Sequence, residues 1–433
     1  MKEKYHLDLS RDKKEFFSLP EGWAVSHFVE SKEAGPLPSV AQLTLDVLTR
    51  PVGAPPLKEL VTGASRVAVI VDDATRPTPV AEILAVLLPQ LAEGRVSREN
   101  ITIVVALGTH VPMKKEDLET RLGKDVAASY RIVQHDAWQT DLVQVRIPGD
   151  KRVLKINPEV ARADVKIGLS SILPHPMAGY GGGPKIIMPG VSNFEFIRAH
   201  HMTHTIDPRA VAGLTKGNPF HEDCMRVARA VGLTFSINCV YNQKAELIRI
   251  VGGSLEEAFG VAVDICFEEL GARFDEKVDV TIASTYPHTH AHQFCKGLSA
   301  TDVVTKETGA ILLMAPTVTP VSDEFIGSFD IVRERSHDRS AEYVRDAMSR
   351  GMPFLPDKPV EFNMAMKCVI IRPRIRTVFV SPLVSRDQAA TMGFEHAASL
   401  EEGLGLLQKA HPKAQVAIFP SGGLIVPITA WEQ

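Results

Sequence analysis

The sequence predicts two α/β domains, and three observations carry the prediction. Short β-branched runs alternate with helical patterns along the chain. Each predicted strand ends in polar, Gly- or Pro-containing residues, as strands do where they feed ligand-binding loops. A polar stretch at residues 272–277 (ARFDEK) separates two apolar units, and 433 residues at roughly 100–200 per domain suit two cores.

In the first unit, residues 66–72 (RVAVIVD) read as a buried strand and 79–91 as the helix after it. Residues 101–107 (ITIVVAL) form a second strand, followed by a loop and a charged helix at 114–122. A third strand, 165–169 (VKIGL), runs into a Gly/Pro-rich segment. In the second unit, 278–284 (VDVTIAS) is a strand, 300–307 a helix stopped by Gly309, and 310–314 the next strand. Strand 376–381, helix 399–410 and strand 415–419 complete it. The first domain is therefore expected over 1–272 and the second over 277–407, with 408–433 able to pack back on the first. The informative loops are 72–79, 108–113 and 170–192.

Composition narrows the function. The chain is 45% hydrophobic and 23% charged with a net charge of −4, so it lacks the basic excess of a nucleic-acid binder. No apolar run approaches the roughly 20 residues of a membrane span, and the first eight residues (MKEKYHLD) lack the apolar core of a secretory signal. Five cysteines, odd in number and without a CxxC pair, point to a reducing cytoplasm.

Four motifs carry chemistry. Residues 179–185 (GYGGGPK) follow His175, and glycines 179, 181, 182 and 183 free the backbone to aim N–H groups at an anion. Pro184 and Ile186 exclude a Walker loop, and Pro184 also breaks the dinucleotide fingerprint. Lys185, before the apolar run 186–188, is a nucleophile or a covalent attachment point, because an apolar setting depresses a lysine pKa. His110 and His175 each follow a buried strand, so two imidazoles from neighbouring strands face one ligand as acid or base. In 72–79 (DDATRPTP), Asp72 and Asp73 suggest magnesium or a ribose contact, and the Arg76 fork suits a carboxylate or phosphate. Gln293 and Lys296 share a helical face and offer an amide and an ammonium to an anionic substrate. His200, His201 and His204 cluster, but on a helix only His200 and His204 share a face, and HHxxH lacks the glutamate of a zinc protease.

Residues 71–79 (VDDATRPTP), 106–110 (ALGTH), 173–190 (LPHPMAGYGGGPKIIMPG), His201 and 293–302 (QFCKGLSATD) together resemble the nickel-pincer lactate racemase family, in family order and over more than half the chain. The resemblance implies two α/β domains with an active-site cleft between them. It implies nickel in a pyridinium bis-thiocarboxylic acid mononucleotide, tethered to Lys185 through a thioamide and ligated by His201. Asp73, Thr75 and the glycines Gly179, Gly181, Gly182 and Gly183 then match cofactor-binding positions, the glycines suiting its phosphate. His110 and His175 match the two catalytic bases, and Arg76 and Lys296, with Gln293 beside them, match the groups holding the substrate carboxylate. The implied reaction inverts C2 of a 2-hydroxy acid by reversible hydride transfer. Its implied partners are the small-molecule substrate and cofactor-biosynthesis proteins, with no nucleic acid and no membrane.

Departures bear on substrate. The segment 284–292 (STYPHTHAH) replaces a stretch usual in lactate racemases, leaving His292 where an aromatic is common, and Gly181 and Pro184 also differ. His288, His290 and His292 are therefore candidates to contact a longer acid, malate-like or aldonic, with His292 the one expected to bind substrate. The rival expectations are a histidine-cluster metal-dependent hydrolase or lyase around residues 200–204, and a non-enzymatic binder of a nucleotide-like ligand.

Overall fold

A computed structural model describes residues 4–30 and 35–429. Two compact units emerge, one spanning Glu33–Glu268 and the other combining Met1–Lys32 with Glu269–Gln433. Twelve strands in two sheets organise them. In chain order these are β1 (Trp23–Phe28), β2 (Val67–Val71), β3 (Ile101–Val105), β4 (Arg131–Gln134), β5 (Val165–Ile172), β6 (Phe235–Tyr241), β7 (Leu247–Gly253), β8 (Val278–Ser284), β9 (Thr305–Met314), β10 (Arg376–Val380), β11 (Glu395–Ala397) and β12 (Ala414–Phe419).

The central unit carries the sheet β7-β6-β5-β2-β3-β4, parallel throughout except for the β6/β7 pair. Strands β2, β5 and β6 are buried along their whole length. This is why none of them alternates apolar with polar: β2 is an unbroken apolar run, and β5 and β6 bury polar residues such as Ser170, Ser171, Ser236 and Asn238 as well. Helix α1 (Val80–Glu93) buries Val80, Ile83, Leu84, Leu87, Leu88 and Leu91, a stripe at helical spacing. Burying each such side chain fully stabilises by about 1.5–3 kcal/mol. From β2 the chain winds outward to β3 and β4, then returns to place β5 on the other side of β2. The strand order thus reverses between β2 and β5, and the loops after those strands open at a topological switch point.

The second sheet, β11-β10-β9-β8-β12-β1, is parallel throughout and reverses in the same way between β8 and β12. Strand β8 coincides with its expected limits. The neighbouring helix ends at Val304 instead of running to a stop at Gly309, and β9 starts at Thr305. The β-branched run Val303-Val304-Thr305 favours the extended form. Gly309 lies inside the strand, where a Cβ would stand 2.3 Å from the Asp279 carbonyl oxygen.

The domain limits need correction at both ends. Residues 4–30, expected in the first domain, belong with the C-terminal unit: β1 pairs with β12, Ala414 facing Trp23, and Trp23 Nε1 donates to the His411 carbonyl at 2.7 Å. The segment from 408 stays there as well, since β12 lies beside β8 and Val426–Thr429 pairs with Gly271–Phe274. Residues 1–3 and 430–433 lie outside the described residues. Strand pairing across nearly four hundred residues leaves no local signal, so the polar stretch alone misplaced these ends. Among the described residues, no helix is long and apolar enough to cross a membrane.

Candidate active site

The loop after β2 separates its two aspartates. Asp72 is buried and fully engaged by protein: one carboxylate oxygen takes the Arg121 guanidinium, the other the Thr78 hydroxyl at 2.6 Å and the Ser171 N–H at 3.2 Å. Arg121, on α2 (Lys115–Leu122), also donates to the carbonyls of Asp72, Arg76 and Thr78 at 3.2, 3.0 and 2.7 Å. Asp72 therefore shapes the loop, and the magnesium or ribose contact expected of it is corrected. Arg121 went unnoticed in the sequence because its partners lie over forty positions away on another element.

Asp73 faces the other way. Its Oδ1 accepts the Thr75 N–H at 2.8 Å and hydroxyl at 2.5 Å, and its Oδ2 accepts from His110 Nδ1 at 2.5 Å. Burial would raise this carboxyl, but the hydrogen bonds from His110 and Thr75 and the charges of His110 and Arg76 outweigh it. The carboxyl is held well below the usual range. Since the ionised carboxylate accepts the Nδ1 proton, His110 presents the lone pair of Nε2, and its ring is half exposed. The His110 loop is joined to the lysine loop by the Gly108 N–H, which donates to Gly190 O at 2.9 Å.

His175 leaves β5, and β2 lies between β5 and β3, so the two histidines do not come from neighbouring strands as expected. The strand ends are two spacings, about 10 Å, apart. His175 Nδ1 accepts the backbone N–H groups of Met177 at 3.3 Å and Ala178 at 3.1 Å.

The glycine loop answers to packing. At Gly183 (φ +49°) a Cβ would lie 2.2 Å from the Phe259 ring, and at Gly182 (φ +71°) 2.6 Å from the Ser171 carbonyl oxygen, whereas at Gly181 the nearest atoms are 3.7 Å away. A Cβ on Gly179 would meet Leu214 O. The N–H groups of Gly181, Gly183 and Lys185 donate to Leu173 O, Ser170 Oγ and Gly182 O. Three donors of the expected anion nest are thus turned to the protein's own acceptors.

Lys185 keeps some exposure, yet its ammonium rests 4.8 Å from the centre of the Phe220 ring, and burial lowers its pKa to about 8, partly offset by Cys224. The lysine thus holds a substantial free-amine fraction near neutral pH, as a covalent attachment point requires. His201, on α3 (Phe194–His204), packs against the same Phe220 ring with centroids 5.0 Å apart. Its Nδ1 donates to Ile197 O at 2.9 Å, and burial and then the Lys185 charge lower its pKa to about 3. A neutral imidazole with Nδ1–H committed and Nε2 presenting a lone pair is the tautomer a metal ligand needs. Phe220 opens α4 (Pro219–Val231), whose cap Asn218 accepts from Phe220 N and donates to Met177 O at 2.9 Å, tying this helix to the His175 loop.

His200 and His204 turn instead to Asp223, as the helical spacing predicts, and these three alone among the described residues form a grouping that could hold a metal ion. His204 donates to Asp223 at 3.2 Å. The same carboxylate carries the guanidiniums of Arg152 at 2.8 Å and Arg226 at 2.5 Å. Two cations already neutralise it, which disfavours a third and weakens the hydrolase expectation.

In the other unit, the 3-10 helix Ala291–Gly297 follows β8 at that sheet's own switch point. Positions three apart eclipse in such a helix, so Gln293 and Lys296 share a face while Phe294 and Cys295 are buried. His292 is stacked on Phe325 at 5.0 Å with Phe362 edge-on at 5.6 Å, and His288 Nε2 donates to Gly423 O at 3.0 Å. Both rings serve packing here, so this placement lends the expected His292–substrate contact no support.

Residues 11–213 match the lactate racemase N-terminal domain. A lactate racemase of Lactiplantibacillus plantarum is 30% identical over 392 residues, covering 88% of this chain and 89% of that one. A lactate racemase of Thermoanaerobacterium thermosaccharolyticum is 28% identical over 274 residues, covering 62% of this chain and 64% of that one. The solved lactate racemase apoprotein from Thermoanaerobacterium thermosaccharolyticum shares the fold, with a TM-score of 0.84 at 21% identity over 98% of this chain and all of that one. A crystal structure of a Thermotoga maritima protein aligns with a TM-score of 0.62 at 16% identity, covering 90% of this chain and 98% of that one. The chain belongs to the lactate racemase family and is an enzyme of the isomerase class.

Proposed function

We propose that this enzyme racemises a lactate-like 2-hydroxy acid at C2, using a nickel-pincer nucleotide tethered to Lys185 and ligated by His201. The observation carrying this reading is the pair on Phe220: an amine with its pKa lowered to about 8 beside an imidazole whose Nε2 presents a lone pair. The residues fit such a group at its two attachment points, while the Gly181, Gly183 and Lys185 N–H groups are turned to the protein's own acceptors and not to a phosphate. When bound, the cofactor supplies a reversible hydride acceptor.

The chain's own residues supply the rest. His110, oriented by Asp73, takes the proton of the C2 hydroxyl at Nε2, with the second histidine, His175, acting on the same substrate. Arg76, Lys296 and Gln293 are the groups proposed to bind the substrate carboxylate, through charge-assisted hydrogen bonds. Fixed cations also favour the 2-keto acid that forms between the two enantiomers.

The test is intact-protein mass spectrometry with nickel analysis, on protein co-expressed with the cofactor-making enzymes, alongside a polarimetric lactate assay. A covalent adduct on Lys185 with nickel bound and racemase activity is expected. Zinc without an adduct would overturn the reading in favour of the His200–His204–Asp223 cluster. An adduct without isotope exchange at C2 of any 2-hydroxy acid would leave a nucleotide-like ligand binder.

A further inference from the structure

On the racemase reading above, we infer that Arg121, a residue outside the set assigned to substrate and cofactor, is a positioning residue for the reaction. Its guanidinium holds both ends of the turn that carries Asp73 and Arg76.

Arg121 Nε donates to the Asp72 carbonyl at 3.2 Å, and one terminal nitrogen donates to the Arg76 carbonyl at 3.0 Å and the Thr78 carbonyl at 2.7 Å. The Asp72 carbonyl belongs to the peptide that enters Asp73, and the Arg76 carbonyl to the peptide that leaves Arg76. One rigid planar group therefore fixes the peptide planes on both sides of residues 73–76. Inside those limits the Arg76 N–H donates to Asp73 O at 3.2 Å and the Thr75 N–H to Asp73 Oδ1 at 2.8 Å. A turn closed within and held at both ends has little freedom to swing the Asp73 side chain. Asp73 Oδ2 is thereby kept on His110 Nδ1, at 2.5 Å.

The loop's own backbone is short of donors for this task. Residues 77 and 79 are prolines without an N–H, so a side chain from another element serves the inward carbonyls. A lysine could pair with Asp72, but its donors radiate from one nitrogen and do not span three carbonyls and a carboxylate. The clamp is itself anchored. The second terminal nitrogen of Arg121 meets the Asp72 carboxylate, and both side chains are about nine-tenths buried. The other Asp72 oxygen takes the Thr78 hydroxyl at 2.6 Å and the Ser171 N–H at 3.2 Å, and the Thr78 and Ser171 hydroxyls lie 2.6 Å apart. The turn is thus pinned to α2 on one side and to β5 on the other.

With the turn held, the Asp73 carboxylate selects the His110 tautomer that leaves Nε2 for the hydroxyl proton, and Arg76 extends from a fixed backbone. With the turn loosened, the ring proton distributes between the two nitrogens as in a free imidazole, and Arg76 no longer meets a carboxylate from one place. Arg121 exchanges no proton itself. It acts on kcat through Asp73 and His110 and on KM through Arg76.

Two measurements test this. The first needs no cofactor: 15N spectra of histidine-labelled protein, recorded where the ring is neutral and assigned with His110→Gln, report the His110 tautomer. Wild type is expected as Nδ1–H alone. Arg121→Lys keeps a charge opposite Asp72 but loses the fork, and a mixture of both tautomers is expected. Arg121→Gln, which brings no charge to bury, gives the same reading should the lysine variant not fold. Leu91→Ala, in the buried stripe at the far end of α1, should lower the unfolding midpoint and leave the tautomer unmoved. A pure Nδ1–H form in the folded Arg121 variant would overturn the inference whatever the protein catalyses, and so would a shifted tautomer in Leu91→Ala. The second measurement uses the cofactor-loaded enzyme. Arg121→Lys should keep the adduct on Lys185, lose about 10- to 100-fold in kcat and raise KM, while Leu91→Ala keeps the wild-type kcat below its midpoint. An unchanged kcat in Arg121→Lys would overturn the positioning role. Loaded wild-type enzyme without racemase activity would overturn the function and leave the tautomer result standing.

Discussion

The two sheets reverse their strand order in the same way, but the switch points they create are furnished differently. After β2 and β5 stand titratable groups: Asp73 with His110, His175, and Lys185 with His201. After β8 and β12 the corresponding loops are occupied by packing. His288 is bonded to the Gly423 carbonyl and His292 lies among phenylalanines, leaving Gln293 and Lys296 on one face of a short helix. On the function proposed above, one switch point is equipped for chemistry and the other for holding an anion. The topology supplies the place in both cases, and the side chains decide its use.

If that division is right, substitutions in the central unit lower turnover and substitutions in the other raise KM. The largest effect is expected from Lys185→Ala, which removes the attachment point. Mass spectrometry should find no adduct, and activity should fall beyond detection. Asp73→Asn comes next, since losing the carboxylate frees His110 to take the wrong tautomer. A fall in kcat of about 10²–10⁴-fold is expected, with adduct retained. Lys296→Ala removes one charge-assisted hydrogen bond, worth about 1.5–3 kcal/mol, so kcat/KM should drop roughly ten- to a hundredfold through KM. A loss confined to kcat would break the comparison.

Two smaller effects sharpen it. With Lys185 at about 8 in the fold, the unfolded chain binds the extra proton from about pH 8 up to the ordinary lysine value near 10.5. This group therefore makes stability rise with pH across that window. Lys185→Met should raise the unfolding midpoint, by more at pH 7 than at pH 10, and a pH-independent gain would contradict the buried-ammonium account. Gly183→Ala should cost about 1–3 kcal/mol through its clash with Phe259 and its positive φ, while Gly181→Ala should be nearly neutral in thermal unfolding. Equal costs would mean that the loop is not set by packing.

Much of this was legible in the chain. The run 278–284 (VDVTIAS) is strand β8 to the residue, because its β-branched and small residues are buried at every position but Asp279. The positions of His110, His175 and Lys185 at strand ends and in the glycine loop were equally readable. Their partners were not. The Arg121 clamp on Asp72, the amides on His175 Nδ1 and the Phe259 ring behind Gly183 depend on which loops meet, and no local pattern records that. The glycines show the cost most clearly: the same GYGGGPK that suggests a cradle for phosphate is, once folded, a tightly packed turn.

The pairing of β1 with β12 bears on how the chain is made. Trp23 leaves the ribosome 388 residues before His411, whose carbonyl it will meet. At about 5–20 residues per second that delay is roughly 20 to 80 seconds. The central unit is complete by Glu268 and is free to fold in the interval. Its opening and closing ends then become the tether through which the early strand reaches its late partner. Vectorial synthesis thus completes the central unit first, and the second sheet closes only when β12 reaches the early strand.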